Sequence, residues 1–93
     1  VVLDIGGLRH PVNPPGLTIG RGSTADLKID DPGISRNHAE IVFLGGGVEV
    51  RDLGSTNGVI VDGRRVDSAQ IHDGSQIRLG NTTITVHLSQ EHA

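Results

Sequence analysis

The sequence predicts an all-β fold, a sandwich or barrel of many short strands, and three observations carry that reading. Val, Ile and Thr supply 25 residues against four alanines, and β-branched side chains suit the pleated surface of a strand better than a helix. Turn signals recur every few residues, at Gly6-Gly7, Pro14-Pro15-Gly16, Asp31-Pro32-Gly33, Gly45-Gly46-Gly47, Asn57-Gly58, Asp62-Gly63, Asp73-Gly74 and Gly80-Asn81. Short apolar runs lie between them, the spacing of a sandwich or barrel.

The first strand is expected over 1–5, where Val1-Val2-Leu3 and Ile5 run into Gly6-Gly7, and the second over 8–12, up to the proline-rich turn. Leu17-Thr18-Ile19 centre a third strand at 17–21, and the alternation of Leu27 and Ile29 marks a fourth at 26–29. The next segment has two periods. Ile34, His38, Ile41 and Val42 are spaced as on a helix, yet Ile41-Val42-Phe43-Leu44 is a continuous apolar run that fits a strand buried on both faces, and a fifth strand is placed at 38–44. The triple glycine leads to a sixth at 47–53. The clearest hairpin runs from Val59 to Val66: strands at 59–62 and 64–66 flank Asp62-Gly63, which supplies the two positive-φ residues of a type I′ turn. Strands at 69–72 and 75–79 follow, on either side of Asp73-Gly74. The last, 82–88, alternates Thr83, Thr85 and His87 with Ile84, Val86 and Leu88, giving one wet and one buried face. Residues 89–93 read as a polar tail, so the domain is expected to occupy 1–88.

Ninety-three residues fit one domain. Hydrophobic residues make up 34% and there are 14 glycines, an ordinary globular balance that is too apolar for a disordered chain. Phe43 is the one aromatic, so base stacking lacks its material, and a net charge of −3 argues against a phosphate-backbone binder; no nucleic-acid partner is expected. With no cysteine, disulfides, thiol nucleophiles and thiolate metal sites are excluded. No apolar run approaches the ~18 residues of a membrane span, no signal-peptide pattern opens the chain, and the start at Val1 reads as a domain cut from a longer polypeptide.

Catalysis finds poor material. His10, His38, His72, His87 and His92 have no metal-ligand spacing, and Ser55 is not centred in a G-x-S-x-G elbow, so no enzyme, metal or cofactor is expected. Asn81-Thr82-Thr83 matches a glycosylation sequon, but turn plus strand explains it. Gly20-Arg21-Gly22-Ser23-Thr24-Ala25 matches the dinucleotide fingerprint in letters and fails in context, because Pro32-Gly33 and the Leu27/Ile29 alternation leave no room for the helix it must open.

Two other loops carry chemistry. Ile34-Ser35-Arg36-Asn37-His38 offers a hydroxyl, a guanidinium and an amide just before a strand, the donors that grip a tetrahedral anion. Taken alone, the loop reads first as a polar turn, with Ser35 bonding nearby amides, because such loops are common. Asp52-Leu53-Gly54-Ser55-Thr56-Asn57-Gly58 brings two hydroxyls and an amide, and Asn57 before Gly58 is also the natural occupant of a positive-φ corner.

Taken in order, Gly20-Arg21, Ser35-Arg36-Asn37-His38 and Ser55-Thr56-Asn57-Gly58 resemble the signature of the forkhead-associated (FHA) domain. Each motif is weak alone and the ordered set is specific. The resemblance covers about Val1 to Leu88, including Asp73-Gly74-Ser75-Gln76-Ile77-Arg78-Leu79-Gly80, and Pro32 to His38 is similar to FHA domains at the C-termini of actinobacterial signalling proteins.

The resemblance implies an FHA-like β-sandwich of about eleven short, mostly antiparallel strands with ligand loops at one end, binding phosphothreonine peptides. It implies that Arg21 and Ser35 hold phosphate oxygens, that Thr56 and Arg36 also reach the phosphate, and that Asn57 bonds the peptide main chain. Ser23, Asn37 and Ser55 are candidates for secondary contacts. Gly20, His38 and Gly58 match architectural positions, with His38 bonding loop backbone rather than ligand. The implied partners are proteins phosphorylated on threonine by a Ser/Thr kinase of the same pathway, met by a monomeric, cytoplasmic domain. A phosphate-independent docking module on the same sandwich is the alternative.

Two expectations are exposed to test by structure. If strands simply zigzag, the loop after Arg21 and the loop holding Ser35 lie at opposite ends of strand 26–29. Only the reach of a long Arg and a twisted edge over roughly 13 Å would then close the gap. Sequence selectivity in the family resides in variable loops such as 30–34 and 80–82, and Gly33, Gly80 and Asn81 offer little charge, so weak selectivity is expected.

Overall fold

The computed structural model describes residues 1–88, and the polar tail expected at 89–93 lies outside them. The described residues form eleven strands and no helix: β1 (Val2–Ile5), β2 (Leu8–Pro11), β3 (Gly16–Gly20), β4 (Leu27–Lys28), β5 (Ala39–Leu44), β6 (Gly47–Asp52), β7 (Val59–Val61), β8 (Arg64–Val66), β9 (Ser68–Ile71), β10 (Gln76–Leu79) and β11 (Thr82–His87). Each falls within two residues of its expected bounds at either end. A six-stranded sheet has the order β2-β1-β11-β10-β7-β8, and a five-stranded sheet has the order β4-β3-β5-β6-β9. The all-β sandwich is therefore as expected, and no described helix could cross a membrane.

Local chemistry accounts for the hairpins. Asp62 and Gly63 take φ of 49° and 86°, the type I′ geometry that matches strand twist, and they join β7 to β8 in register from Val59↔Val66 to Val61↔Arg64. Ile84 and Val86 of β11 are fully buried while Thr83 is exposed.

The core is aliphatic. Leu3, Ile19, Ile41, Val50, Val59, Ile77, Leu79, Ile84 and Val86 are completely buried between the sheets, and Phe43 packs only partly against them. Branched side chains of one size fill the ~10 Å between the sheets without a large ring.

Two expectations need correction. The strand expected at 38–44 forms over Ala39–Leu44, but it is not buried on both faces: Ala39 and Ile41 are inaccessible, whereas Leu44 is 48% exposed. Among the described residues no second layer covers the outer face of the five-stranded sheet, so the apolar run fills one side only. The strands also do not simply zigzag. β4 pairs parallel to β3, Ile19↔Leu27 and Gly20↔Lys28, while every other pairing is antiparallel.

Asp26 fixes that reversal. Thr18 donates its N–H and its hydroxyl to Asp26 Oδ2 at 3.0 and 3.2 Å, and the Asp26 N–H donates to Thr18 Oγ1 at 3.1 Å. The chain leaving Gly20 thus doubles back along β3 before starting again in the same direction. Ordinary parallel connections need a dozen or more residues; here two paired residues at a sheet edge require far fewer.

Truncating the fully buried Ile77 to alanine should cost about 2–5 kcal/mol of stability through lost burial and a residual cavity. Leu8, 68% exposed on β2, should change stability by no more than about 0.5 kcal/mol when cut to alanine. Urea denaturation of both variants checks the assignment of inside and outside.

Candidate functional site

Parallel pairing of β3 and β4 sends the loops after both strands, 21–26 and 29–38, to one end of the sandwich. Ala39 opposite Asp52 places the loop after β6 there too, and Leu79 opposite Val59 adds the β10–β11 turn. The zigzag expectation fails for this reason, and convergence needs no exceptional reach from Arg21.

The loops interlock through backbone first. The Arg21 N–H donates to Ser35 O at 2.9 Å and the Gly22 N–H to Arg36 O at 3.1 Å. This crossing explains Gly20, because a β-carbon there would lie 1.9 Å from the Arg36 carbonyl oxygen. Ile34, 1% exposed, pins the 29–38 loop into the core. Its carbonyl accepts Arg21 Nε at 2.9 Å, which orients the guanidinium while leaving its terminal nitrogens available for an anion.

Ser35 is the hub. Its N–H donates to His38 Nδ1 at 3.0 Å, and its Oγ accepts the Thr56 N–H at 3.1 Å. A hydroxyl that accepts there keeps its proton to donate elsewhere. The partner of Oγ lies 21 residues away, which corrects the local polar turn that the loop taken alone favours. Arg21, Ser35 and Thr56 are thereby gathered at one place, with Thr56 exposed. Arg36 is exposed beside them.

His38 is completely buried and bonds backbone on both sides. Because Nδ1 accepts from Ser35, Nε2 carries the hydrogen and donates to Gly58 O at 2.7 Å. This ring joins the 29–38 loop to the loop after β6, and Leu53 N–H donates to His38 O at 2.9 Å to reinforce the join.

The remaining residues divide. Asn57 donates Nδ2–H to Gly33 O at 2.7 Å, leaving its amide oxygen and second N–H. Its φ is not positive; Gly58 has φ of 81°, so the corner reading of Asn57 is displaced by this cross-loop bond. Ser55 braces its own loop, accepting the Gly58 N–H at 2.9 Å and donating its N–H to Asp52 Oδ1 at 2.9 Å. Partial burial pulls the Asp52 carboxyl upward, but the Ser55 amide and hydroxyl outweigh it and hold the group below its ordinary value. Asn37 Oδ1 accepts the Thr24 hydroxyl at 3.2 Å, and Ser23 is exposed on the same loop.

Asp31 was legible only as a turn residue. Its Oδ1 accepts the Gly33 N–H at 2.8 Å, as a turn requires. Its Oδ2 also accepts the Thr82 hydroxyl at 2.6 Å and the Asn81 N–H at 2.9 Å, tying the 29–38 loop to the β10–β11 turn. The Thr82 hydroxyl, followed by the Gly33 and Asn81 donors, holds its carboxyl below the ordinary value against a smaller opposing effect of burial. Gly33, Gly80 and Asn81 then share a groove with Asn57, Ile60 and Arg78. The expectation of little charge here counted loop residues and overlooked a strand side chain.

Comparison with known proteins agrees with this geometry. Residues 17–80 match the model of the FHA domain family. An ABC transporter ATP-binding/permease protein of Mycobacterium tuberculosis is 41% identical over 80 residues, 86% of this chain but 9% of that protein. The glycogen accumulation regulator GarA of Mycolicibacterium smegmatis is 38% identical over 74 residues, 80% of this chain and 47% of GarA. The chain thus spans less than half the length of either. A structure from a study of phosphothreonine-dependent FHA domain interactions superposes with a TM-score of 0.91 at 34% identity, covering 97% of both chains. M. tuberculosis EmbR in complex with a low-affinity phosphopeptide gives 0.91 at 30% identity, over 99% of this chain and 25% of that one.

Two variants test the loop braces. His38→Ala leaves the Ser35 N–H and Gly58 O without partners in a buried site, and should cost roughly 3 kcal/mol in urea denaturation. Asp31→Ala should accelerate hydrogen exchange at the Gly33 and Asn81 amides at pH 7 while leaving Ile77 protected. Since the folded carboxyl is held below its ordinary value, its contribution is fully present above about pH 5 and fades as pH falls through the folded pKa. The difference in thermal midpoint between wild type and Asp31→Ala should therefore shrink in that acid window.

Proposed function

The chain belongs to the forkhead-associated family, and from that premise we propose that it is a phosphothreonine-dependent protein interaction module and not an enzyme. The observation that carries the reading is the gathering of Arg21 and Thr56 at Ser35, Arg21 through the Ile34 and Ser35 carbonyls and Thr56 through the Ser35 hydroxyl, with donors left over after the loops have satisfied themselves. Phosphothreonine brings roughly −1.5 to −2 charges and three acceptor oxygens. Arg21 terminal nitrogens and the Ser35 hydroxyl take phosphate oxygens, the Thr56 hydroxyl takes another, and Arg36 adds charge from the rim. Asn57 uses its remaining amide groups on the peptide main chain. Ser23 and Asn37 are placed for secondary contacts, whereas Ser55, with His38, Gly20 and Gly58, maintains the loops.

Electrostatics support a local rather than a diffuse anion site. The chain carries −3 overall, so a polyanion meets net repulsion while a single phosphate meets donors fixed in place. Partners are accordingly proteins phosphorylated on threonine within a Ser/Thr kinase pathway, not nucleic acids. The domain acts as a cytoplasmic monomer within a longer protein. EmbR, solved with a phosphopeptide, is the relative whose ligand class supports this reading.

Calorimetric titration with matched phosphothreonine and unphosphorylated peptides tests it. Binding should depend on the phosphate, and Arg21→Ala should weaken it by about 100-fold or more, the loss of two or so charge-assisted bonds, with an unchanged urea midpoint. Thr56→Ala should cost about tenfold. Equal affinity for the two peptides would overturn the proposal in favour of phosphate-independent docking.

A further inference from the structure

The chain holds four asparagines, Asn13, Asn37, Asn57 and Asn81, and the residue after each decides what its amide can become. An asparagine deamidates when the next backbone nitrogen, having given its proton to hydroxide or water, attacks the side-chain carbon Cγ and expels ammonia. Water then opens the resulting succinimide at one of its two carbonyls, giving aspartate or isoaspartate. No oxidant or reductant is consumed. Asn13 precedes Pro14, which has no N–H to lose. Asn37 precedes the buried His38, whose N–H donates to Ile19 O at 2.9 Å. Asn81 precedes Thr82, at the start of β11, whose branched β-carbon crowds the approach to its own nitrogen. Asn57 alone precedes a glycine, Gly58, where no side chain hinders the attack.

The fold restrains this reactive pair. Asn57 is exposed, so water reaches its amide, whereas Gly58 is buried. Asn57 Nδ2 donates to Gly33 O at 2.7 Å, across 24 residues of sequence. The Gly58 N–H donates to Ser55 Oγ at 2.9 Å. Ring closure destroys both bonds, because it expels Nδ2 as ammonia and removes the proton of Gly58. The Gly58 carbonyl is fixed too, by His38 Nε2 at 2.7 Å. Reaction therefore waits for the loop after β6 to open locally.

We propose that Asn57 is a modification site, a deamidation site held in reserve by Ser55 and the Gly33 carbonyl, and that its conversion disables the candidate phosphate site in one direction. Aspartate has no Nδ2–H for Gly33 O and sets a carboxylate on the loop that carries Thr56, where it opposes a bound phosphate. Isoaspartate routes the main chain through Cγ, one atom longer, and so shifts Gly58 O away from the His38 ring that holds Ser35. The effect on ligand rests on the phosphothreonine reading; the reaction itself does not.

The test is peptide mapping by mass spectrometry of the domain aged in mildly alkaline buffer, native and in urea. In urea, Asn57 should convert ahead of the other three asparagines. Folding should slow it by roughly tenfold or more, and Ser55→Ala should speed the native reaction by roughly threefold to tenfold, the factor that one hydrogen bond contributes to an opening equilibrium. Hydrogen exchange at the Gly58 amide should rise in step while Ile77 stays protected. Should Ile77 lose protection as well, the wild-type comparison of native buffer with urea decides. Equal Asn57 rates in native buffer and in urea, a folded Ser55→Ala variant no faster than wild type, or Asn37 or Asn81 as fast as Asn57 in urea would each overturn the guarded site. Asn57→Asp should bind a phosphothreonine peptide about tenfold or more weakly than wild type. Equal affinity there overturns the disabling effect. Loss of phosphate dependence in the wild type overturns the phosphothreonine reading and that effect with it, and it is distinguished from failure of the guard because the deamidation rates are measured without peptide.

Discussion

The buried His38 ring is the interaction on which the binding end depends. It accepts from Ser35 and donates to Gly58 across 20 residues of sequence, so it sets the separation of the two loops that carry the hydroxyls. No water reaches it, and in such a site a polar group without a partner costs about 1–3 kcal/mol. Every hydrogen-bonding group of the ring is used, and among the described residues no buried side-chain polar atom is unpaired. The ring is therefore held in one tautomer and one orientation. The Ser35 hydroxyl inherits that precision, because its backbone is bonded to the ring and its oxygen to Thr56.

A rigid hub would be of little use if Arg21 entered from elsewhere, and the short parallel ribbon supplies the remaining constraint. Asp26 and Thr18 reverse the chain through three hydrogen bonds, and β4 then runs beside β3 for two residues. That is enough to release both loops at the same end. The guanidinium is steered by a carbonyl, Ile34 O, whose own side chain is anchored in the core. Packing in the aliphatic interior is thus transmitted to the position of a surface cation through one residue.

Local features were legible in the sequence and distant ones were not. Strand positions followed from turn residues and β-branched runs, since both act over a few residues, and Asp62-Gly63 announced its turn because positive φ at both positions is a local demand. The candidate site residues stand in the sequence as an ordered set of motifs, and their clustering had to come from the resemblance. Nothing in the periodicity of 26–29 distinguishes a strand that returns antiparallel from one that restarts parallel. Asp31 shows the same limit: its bond to Gly33 spans two residues and reads as a turn, whereas its bond to Thr82 spans 51. Burial on one face or both was likewise invisible at Ile41 to Leu44, because that depends on whether another layer exists.

The distribution of charge resolves the apparent conflict between an acidic chain and the proposed phosphate site. Net charge sums over the molecule, but the field at a loop depends on what lies within about a Debye length, ~8–10 Å at moderate salt. Much of the negative charge is committed to structure: Asp26, Asp31, Asp52 and Asp62 each accept backbone N–H groups, which partly neutralise them where they stand. Asp31, first by the Thr82 hydroxyl, and Asp52, against the pull of burial by the Ser55 amide and hydroxyl among others, are held below their ordinary carboxyl range, so both are fixed anions at neutral pH. They brace the candidate ligand loops, while Arg21 and Arg36 have no acid bonded to them among the described residues. The chain can then be acidic in total, soft in repelling polyanions, and still present a concentrated positive field where loops from both sheets meet.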